Sequence, residues 1–450
     1  MRRLIALVWV GLAGCPQASL PNAAPAHSSD SSAHSFRVVP IGLCEDYPEE
    51  SRSLDTVRRD MQVLHAAGVT ALRLSIGWDG LEPTKDHYDW AFWDAFVDIA
   101  VRENGIRLLP YVAYTPRWNA TGGPDDYWKS RPIDLGQFAE VMGLLAARYR
   151  DTIGSWELWN EPDNHDFWLG GVDGYERLVE AGAAGVRRAN PTAHVVAGGI
   201  AGHPQFLEEL LDSPAGRLVD TVNVHAYFET WNPEPLEHLP DYVGLFRDAV
   251  NRHGGGQALW MAEVGYSDYR SPSPAPYEHT PTFQAVVLVR TLALVLALRE
   301  IALIAWYEVK DPPTSDTMIG DDNNRHLGVT FSDYRPKPAL RALRFMSDLF
   351  AAGFEAMEAT DESVNAIFSR AFRLRDGRAV LIAWLPTRPT SKARVRFSLP
   401  VETSGLAGIY SATGDFIGSL PIENARGRSS IDGLELESSD VAVVIVRTHP

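Results

Sequence analysis

Between about Val38 and Phe350, short β-branched or aliphatic runs alternate with longer stretches whose apolar residues recur at helical spacing. The runs Val38–Leu43, Ala71–Ile76, Arg107–Tyr111, Ile153–Trp159, His194–Ala197, Thr221–His225, Ala258–Glu263 and Ala302–Tyr307 predict strands. Leu54–Ala67, Trp90–Glu103, Leu135–Tyr149, Tyr175–Ala189 and Pro240–Arg252 predict helices between them. Strands apolar on both faces and separated by helices indicate a parallel sheet. Eight such units predict an α/β fold, a closed (β/α)8 TIM barrel over residues 36–353, rather than an open doubly wound sheet. No Gly-x-Gly-x-x-Gly opens the first helix, which counts against a dinucleotide fold. From Phe354 the pattern changes. Ala379–Trp384, Ala393 to Phe397, Gly408–Tyr410, Phe416–Leu420 and Val441–Val446 are short strands with turn residues between them, predicting a small C-terminal antiparallel β-sandwich over 354–450.

The first residues do not share this pattern. Arg2 and Arg3 precede an apolar stretch, Leu4–Gly11, too short to span a membrane as a mature helix. Leu12-Ala13-Gly14-Cys15 then resembles the lipobox of bacterial lipoproteins, whose cysteine is lipidated and becomes the first mature residue. The resemblance implies a signal peptide over 1–14, a lipid anchor on Cys15 and a place in the bacterial cell envelope, at the periplasmic or outer-membrane face; an ordinary cleavable signal is the alternative. Gln17 to Ser35 is rich in Ser, Ala and Pro without hydrophobic period, so 15–35 reads as a flexible tether. Ala285–Leu298 is apolar enough to suggest a membrane span, but it is short and carries Arg290, and a buried helix is expected. Cys44 is expected to be a small buried hydrophobe, with a catalytic thiol as the alternative.

With 450 residues, 45% hydrophobic and 10% aromatic, the chain has the make-up of a globular protein with a large core. A formal charge of −17 without a basic patch argues against nucleic acid as a partner, and more weakly against anionic polysaccharides. The segments following the predicted strands are long and aromatic, with Trp78, Tyr114, Trp118, Trp128, Phe167, Trp168, Phe228 and Trp231. In a barrel these loops all rise from the catalytic face. Such rings either stack on a ligand such as the C–H face of a sugar or pack the loops against one another.

Two strands end in a glutamate. Ser155-Trp156-Glu157-Leu158-Trp159-Asn160-Glu161-Pro162 stops at an Asn-Glu pair before a proline that ends the strand, and Leu259-Trp260-Met261-Ala262-Glu263-Val264-Gly265 stops at a Glu before a turn glycine. Either alone reads most simply as a structural ion pair. Together at one rim, they are what glycosidic bond cleavage needs: one proton donor and one nucleophile or base.

Asn160-Glu161-Pro162 ending the fourth strand, with Glu263 ending the seventh, resembles the clan A retaining glycoside hydrolases over the barrel. The resemblance implies that Glu161 is the acid/base and Glu263 the nucleophile. His225-Ala226-Tyr227 matches the clan's His-x-Tyr, implying that these groups orient the nucleophile; a metal role for His225 finds no second histidine at ligand spacing. Arg73 on the second strand needs a partner inside the barrel, and Glu263 is expected to be it. Trp306 at the end of the eighth strand resembles the tryptophan that floors the sugar site, and Asn160 the residue that binds the 2-hydroxyl. Trp168 and Trp78 are further candidates to contact sugar.

Tyr88-Asp89-Trp90, Asn160-Glu161-Pro162-Asp163 with Phe167-Trp168, and Leu327-Gly328-Val329 with Arg335-Pro336-Lys337-Pro338-Ala339 are most similar to family 39 and neighbouring family 5-like sequences. Family 39 includes β-xylosidases, α-L-iduronidases and exopolysaccharide hydrolases. Few basic residues lie near the strand ends beyond Arg73, Arg117 and Lys310, so a neutral oligo- or polysaccharide is the expected substrate. No cofactor and no metal are expected. The competing reading is a non-catalytic glycan-binding surface lipoprotein on a barrel scaffold; an aldolase-like barrel lacks a strand-end lysine in the core.

Overall fold

The computed structural model describes residues 36–47, 52–270, 277–313, 321–361, 367–386, 392–425 and 427–447. The lipobox-like run, Cys15 and the tether lie outside the described residues. Eight parallel strands close into a barrel in chain order: β1 (Ile41–Glu45), β2 (Ala71–Gly77), β3 (Arg107–Ala113), β4 (Ser155–Leu158), β5 (His194–Ile200), β6 (Thr221–Ala226), β7 (Ala258–Val264) and β8 (Ile301–Tyr307), with β8 returning to pair with β1. These strands are buried along nearly their whole length, as strands enclosed by helices must be.

The helices follow the apolar period closely. Leu54–Ala67 is capped by the Ser53 side chain at its start and by Gly68 at φ 68° at its end. Helix Pro281–Ala297 is buried on every side, and no helix among the described residues is long and apolar enough to cross a membrane. Arg290 inside that helix has a structural use, since its guanidinium donates to the carbonyls of Ser438 (2.9 Å) and Asp440 (2.6 Å) in the C-terminal part.

The C-terminal strands are β9 (Phe354–Met357), β10 (Thr360–Asp361), β11 (Phe368–Leu374), β12 (Arg378–Trp384), β13 (Lys392–Leu399), β14 (Leu406–Tyr410), β15 (Phe416–Ala425), β16 (Arg428–Glu437) and β17 (Ala442–Arg447). Their order is β10-β13-β16-β15-β14-β17-β12-β11-β9. The long β15 pairs with β14 through its first half and with β16 through its second, so it carries the chain from one layer to the other. Val395, Phe397, Leu434, Val444 and Val446 pack a separate apolar core between the layers, making this the antiparallel β-sandwich. Arg37 and Phe354 exchange backbone hydrogen bonds at 2.9 Å, so the chain just before β1 adds to this second sheet. Phe36–Pro450 forms one compact unit.

Candidate active site

Strand alternation decides which side chains meet inside the barrel. Arg73 on β2, Glu157 on β4, Asn223 and His225 on β6 and Glu263 on β7 all point into the barrel, where their polar groups meet. Arg73 is fully buried. It donates through Nε and Nη2 to both oxygens of Glu157 at 2.9 Å, through Nη2 to Asn160 Oδ1 at 2.8 Å and through Nη1 to Glu263 Oε2 at 2.7 Å. Glu157 was absent from the sequence reading of the site, although a charged residue in an apolar strand facing a buried arginine is the signal that could have found it.

Beyond Leu158 the chain leaves the strand under constraint. Trp159 has φ 80° and Glu161 φ 44°, left-handed values that non-glycine residues adopt at a cost of about 1 kcal/mol or more, and Pro162 follows. Trp159 is buried, its indole donating to the Phe167 carbonyl at 3.0 Å and its ring meeting Trp168 edge-on at 4.8 Å. The turn thus aims Glu161 across the barrel mouth from a rigid aromatic footing. Its Oε1 lies 2.8 Å from His225 Nδ1, and its Oε2 accepts from Asn164 Nδ2 at 2.9 Å. Glu263 receives the Tyr227 hydroxyl at 2.6 Å as well as Arg73.

Electrostatics separate the two carboxyls. Burial pushes Glu161 up to about 7, against the opposing pull of the Asn164 hydrogen bond and of Arg73. Burial raises Glu263 too, but His225, Arg73 and the Tyr227 hydroxyl oppose that rise. Only Glu263 has a guanidinium in contact, so the first proton taken up by the pair goes to Glu161. Burial lowers His225 and so favours its neutral imidazole, against the opposing pull of Glu263.

His225 departs in part from its expected role. Its Nδ1 is closer to Glu161 than to Glu263 Oε2, which is 3.5 Å away. Tyr227, by contrast, contacts the expected carboxylate. The side chains of Glu161, His225 and Glu263 each offer a ligand atom within 4.8 Å of the others, and this is the set among the described residues that could hold a metal ion.

Three of the expected tryptophans are corrected. Trp78 is fully buried, packed on Trp118 and Phe138 with its indole donating to Glu82 at 2.7 Å. Trp168 is buried against Trp159 and Tyr175, donating to the Gly171 carbonyl at 2.9 Å. Both pack the loops and leave no face for a sugar. Trp306 is wrong by one position. On β8 it is Tyr307 that turns into the mouth, its ring 6.3 Å from Tyr227 and its hydroxyl 2.9 Å from Asp46 Oδ2. Alternation therefore sends Trp306 to the other side of the strand, where it is buried.

Asp46 was missed, and Trp231 was read only as one of the aromatics on the long loops. Asp46 follows β1, half-buried, and receives the hydroxyls of Tyr111 and Tyr307 at 2.9 Å each. Its sequence signal was the acidic pair Glu45-Asp46 just past a strand predicted to stop at Leu43. Trp231, partly exposed, meets Tyr227 edge-on at 4.6 Å, with its indole N–H between the two oxygens of Asp321 at 3.2 Å. Cys44 lies buried below, its thiol donating to the Ala262 carbonyl at 2.8 Å and pushed well above its ordinary pKa by burial, which is the state of an inert thiol.

The family model described as glycosyl hydrolases family 39 matches residues 56–387. Among similar solved structures is a family 39 glycoside hydrolase from the gut symbiont Bacteroides cellulosilyticus WH2, 19% identical with a TM-score of 0.69, over 91% of this chain and 81% of that one. The family 39 enzyme from Xanthomonas axonopodis pv. citri is 17% identical with a TM-score of 0.65, over 93% and 96%. A monomeric β-xylosidase from Caulobacter crescentus CB15 is 17% identical with a TM-score of 0.63, over 92% and 97%. Identities this low speak to the fold; the matched span, from the first helix through the barrel into the second sheet, carries the assignment. The chain belongs to family 39 of the glycosyl hydrolases.

Proposed function

We propose that this glycoside hydrolase cleaves O-glycosidic bonds of a neutral oligo- or polysaccharide with retention of configuration, with Glu161 as acid/base and Glu263 as nucleophile. The observation that carries the reading is the close approach of the two carboxylates, one oxygen of each lying within 4.8 Å of one of the other. A retaining pair needs about 5–5.5 Å between carboxyl groups, whereas an inverting pair, about 6.5–9.5 Å apart, leaves room for a water. Glu263 attacks the anomeric carbon while Glu161 passes its proton to the departing oxygen. Glu161, now ionised, takes a proton from water, and the resulting oxygen nucleophile displaces Glu263 from the sugar. Arg73 and Tyr227 favour the charged form of Glu263, and Glu161, raised to about 7, keeps its proton up to near neutral pH.

A neutral substrate is supported by the charges at the mouth. Arg73 is engaged by Glu157, Glu263 and Asn160, and Lys310 by Glu45 at 2.8 Å and Asp60 at 3.5 Å. Asp46 adds a carboxylate there, which would repel a uronate. The neighbour named as a β-xylosidase makes β-xylosides the first substrates to try. We propose also that Cys15 is lipidated and anchors the enzyme in the bacterial cell envelope, on the strength of Leu12-Ala13-Gly14-Cys15; Cys15→Ser should then release the protein from membranes, and wild-type protein found wholly soluble would sink the idea.

The test of function is a panel of aryl β-glycosides with the product anomer followed by NMR from the first turnovers. The β-anomer forming first supports the reading. The α-anomer forming first would assign an inverting mechanism, and no hydrolysis of any glycoside or oligosaccharide would favour glycan binding without catalysis.

A further inference from the structure

Asn223 sits fully buried inside the barrel, and its amide can face only one way. The Ala262 backbone N–H, which can only donate, points at Asn223 Oδ1 from 2.8 Å. Asn223 Nδ2 therefore faces Glu157 Oε1 at 3.0 Å and His225 Nε2 at 3.3 Å. An amide NH2 cannot accept, so Nε2 of the neutral His225 must be the acceptor and its single ring proton lies on Nδ1. The imidazole is held close by the β5 bulge between Ala197 and Ile200, where a Cβ on Gly199 would come within 1.8 Å of Nε2. The Gly199 N–H also fixes Glu157 Oε1 at 2.8 Å.

The same logic fixes the other side of Glu161. The Asp166 N–H donates to Asn164 Oδ1 at 2.9 Å, so Asn164 presents its NH2 to Glu161 Oε2. Both oxygens of Glu161 thus meet a donor from the protein, and neither donor can take a proton. The acid proton is left to the lone pairs on the open side.

Resting on the acid/base reading of Glu161, we propose that Asn223 is a positioning residue: it locks His225 in the Nδ1–H tautomer and so confines the proton of Glu161 to the face turned toward the substrate oxygen. That proton moves to the glycosidic oxygen as the C–O bond breaks, the bonding pair stays with the leaving oxygen, and Glu263 supplies the new bond to carbon. The Nδ1–H then stays on Glu161 as its charge develops, ready for the second step.

The tautomer can be read directly by long-range 1H–15N correlation on labelled protein at neutral pH, with the His225 signals assigned by a His225→Asn variant. The expected result is a protonated Nδ1 and an unprotonated Nε2. In Asn223→Asp the new carboxylate accepts from Nε2–H, so the tautomer should invert, and a bare Nδ1 should then draw the proton of Glu161 inward. Activity on poor leaving groups should fall about 100-fold, activity on dinitrophenyl glycosides, which need no acid, by less than about threefold, and the basic limb of the pH profile should move up. The charged groups facing this imidazole are Glu161, Glu263, Glu157, Asp163 and Arg73, with the Tyr242 hydroxyl on its carbonyl at 2.8 Å. Asn223→Ala, should the Asp variant not fold, is expected to show both tautomers and a smaller loss with the same leaving-group dependence. A wild-type proton on Nε2, or equal losses for good and poor leaving groups, would overturn the proposal. Because the tautomer is measured without turnover, it is judged even if no glycoside is hydrolysed, an outcome that would sink the functional reading instead.

Discussion

Arg73 Nη1 donates to Glu263 Oε2 at 2.7 Å across the inside of the barrel, tying the second strand to the seventh. The rest of the guanidinium is spent on Glu157 and Asn160, so one cation holds the Glu263 carboxylate and the residue next to Glu161 in a fixed relation. Lysine would keep the charge but not the fork. Arg73→Lys is expected to fold, to lose about 100-fold or more in kcat/KM, and to shift the acid limb of the pH profile upward as Glu263 loses its closest cationic partner. A variant with wild-type kinetics and a normal acid limb would refute this role.

The one-residue offset on β8 makes a paired prediction. Tyr307 faces the mouth and holds Asp46, whereas Trp306 is buried on the opposite side. Tyr307→Phe should raise KM with little change in melting temperature. Trp306→Ala should lower the melting temperature, by an amount in keeping with a stability loss of about 3–5 kcal/mol, and leave KM largely intact in the folded fraction. The reverse pattern would restore Trp306 to the sugar site.

The barrel was legible because parallel strands buried on both faces must be largely apolar, which is how Ala71–Gly77 and Ala258–Val264 read apart from Arg73, Ser75 and Glu263. Glu161 and Glu263 were legible because a carboxylate interrupts an apolar run at its end. What the pattern hid was parity. Trp306 and Tyr307 are both aromatic at a strand end, and only the register of β8 shows which one points in. The bulges near Gly199, and between Asn223 and His225, also break the two-residue period that a sequence reading assumes. Asn223 and Glu157 stayed unseen because a polar residue inside a strand does not by itself show which side chains it will meet; that becomes plain only once β2, β4 and β6 surround the same point.

Asp46 gives a test of substrate charge. Asp46→Asn keeps an acceptor for one tyrosine hydroxyl and removes the charge. It should improve kcat/KM on aryl β-glucuronides relative to β-xylosides by about tenfold, the size of one unscreened charge contact of about 1.4 kcal/mol. An unchanged ratio would mean that Asp46 does not face the glycone.

Glu229, on the loop after β6, is buried with Oε1 accepting from the Leu236 N–H at 3.0 Å and Oε2 without a partner among the described residues. Burial raises it from 4.5 to about 7. Its folded value lies above its unfolded one, so the stability it contributes is fully present below about 4.5 and is lost as pH rises toward about 7, a change on the order of 3 kcal/mol. Glu229→Gln has no charge to bury. Its melting temperature relative to wild type should climb between about pH 5 and pH 8, and a difference that is flat with pH would contradict the assignment.

The division of labour between Glu161 and Glu263 is tested most directly by azide rescue of Glu161→Ala on an activated aryl β-glycoside, with the product's configuration determined. Glu263 should still form the glycosyl-enzyme, because a good leaving group needs no proton. The intermediate should accumulate, azide should accelerate turnover, and the product should be the β-glycosyl azide. An inverted α-azide from this variant, or a retained product when Glu263→Ala is treated in the same way, would show that the two carboxylates hold each other's roles.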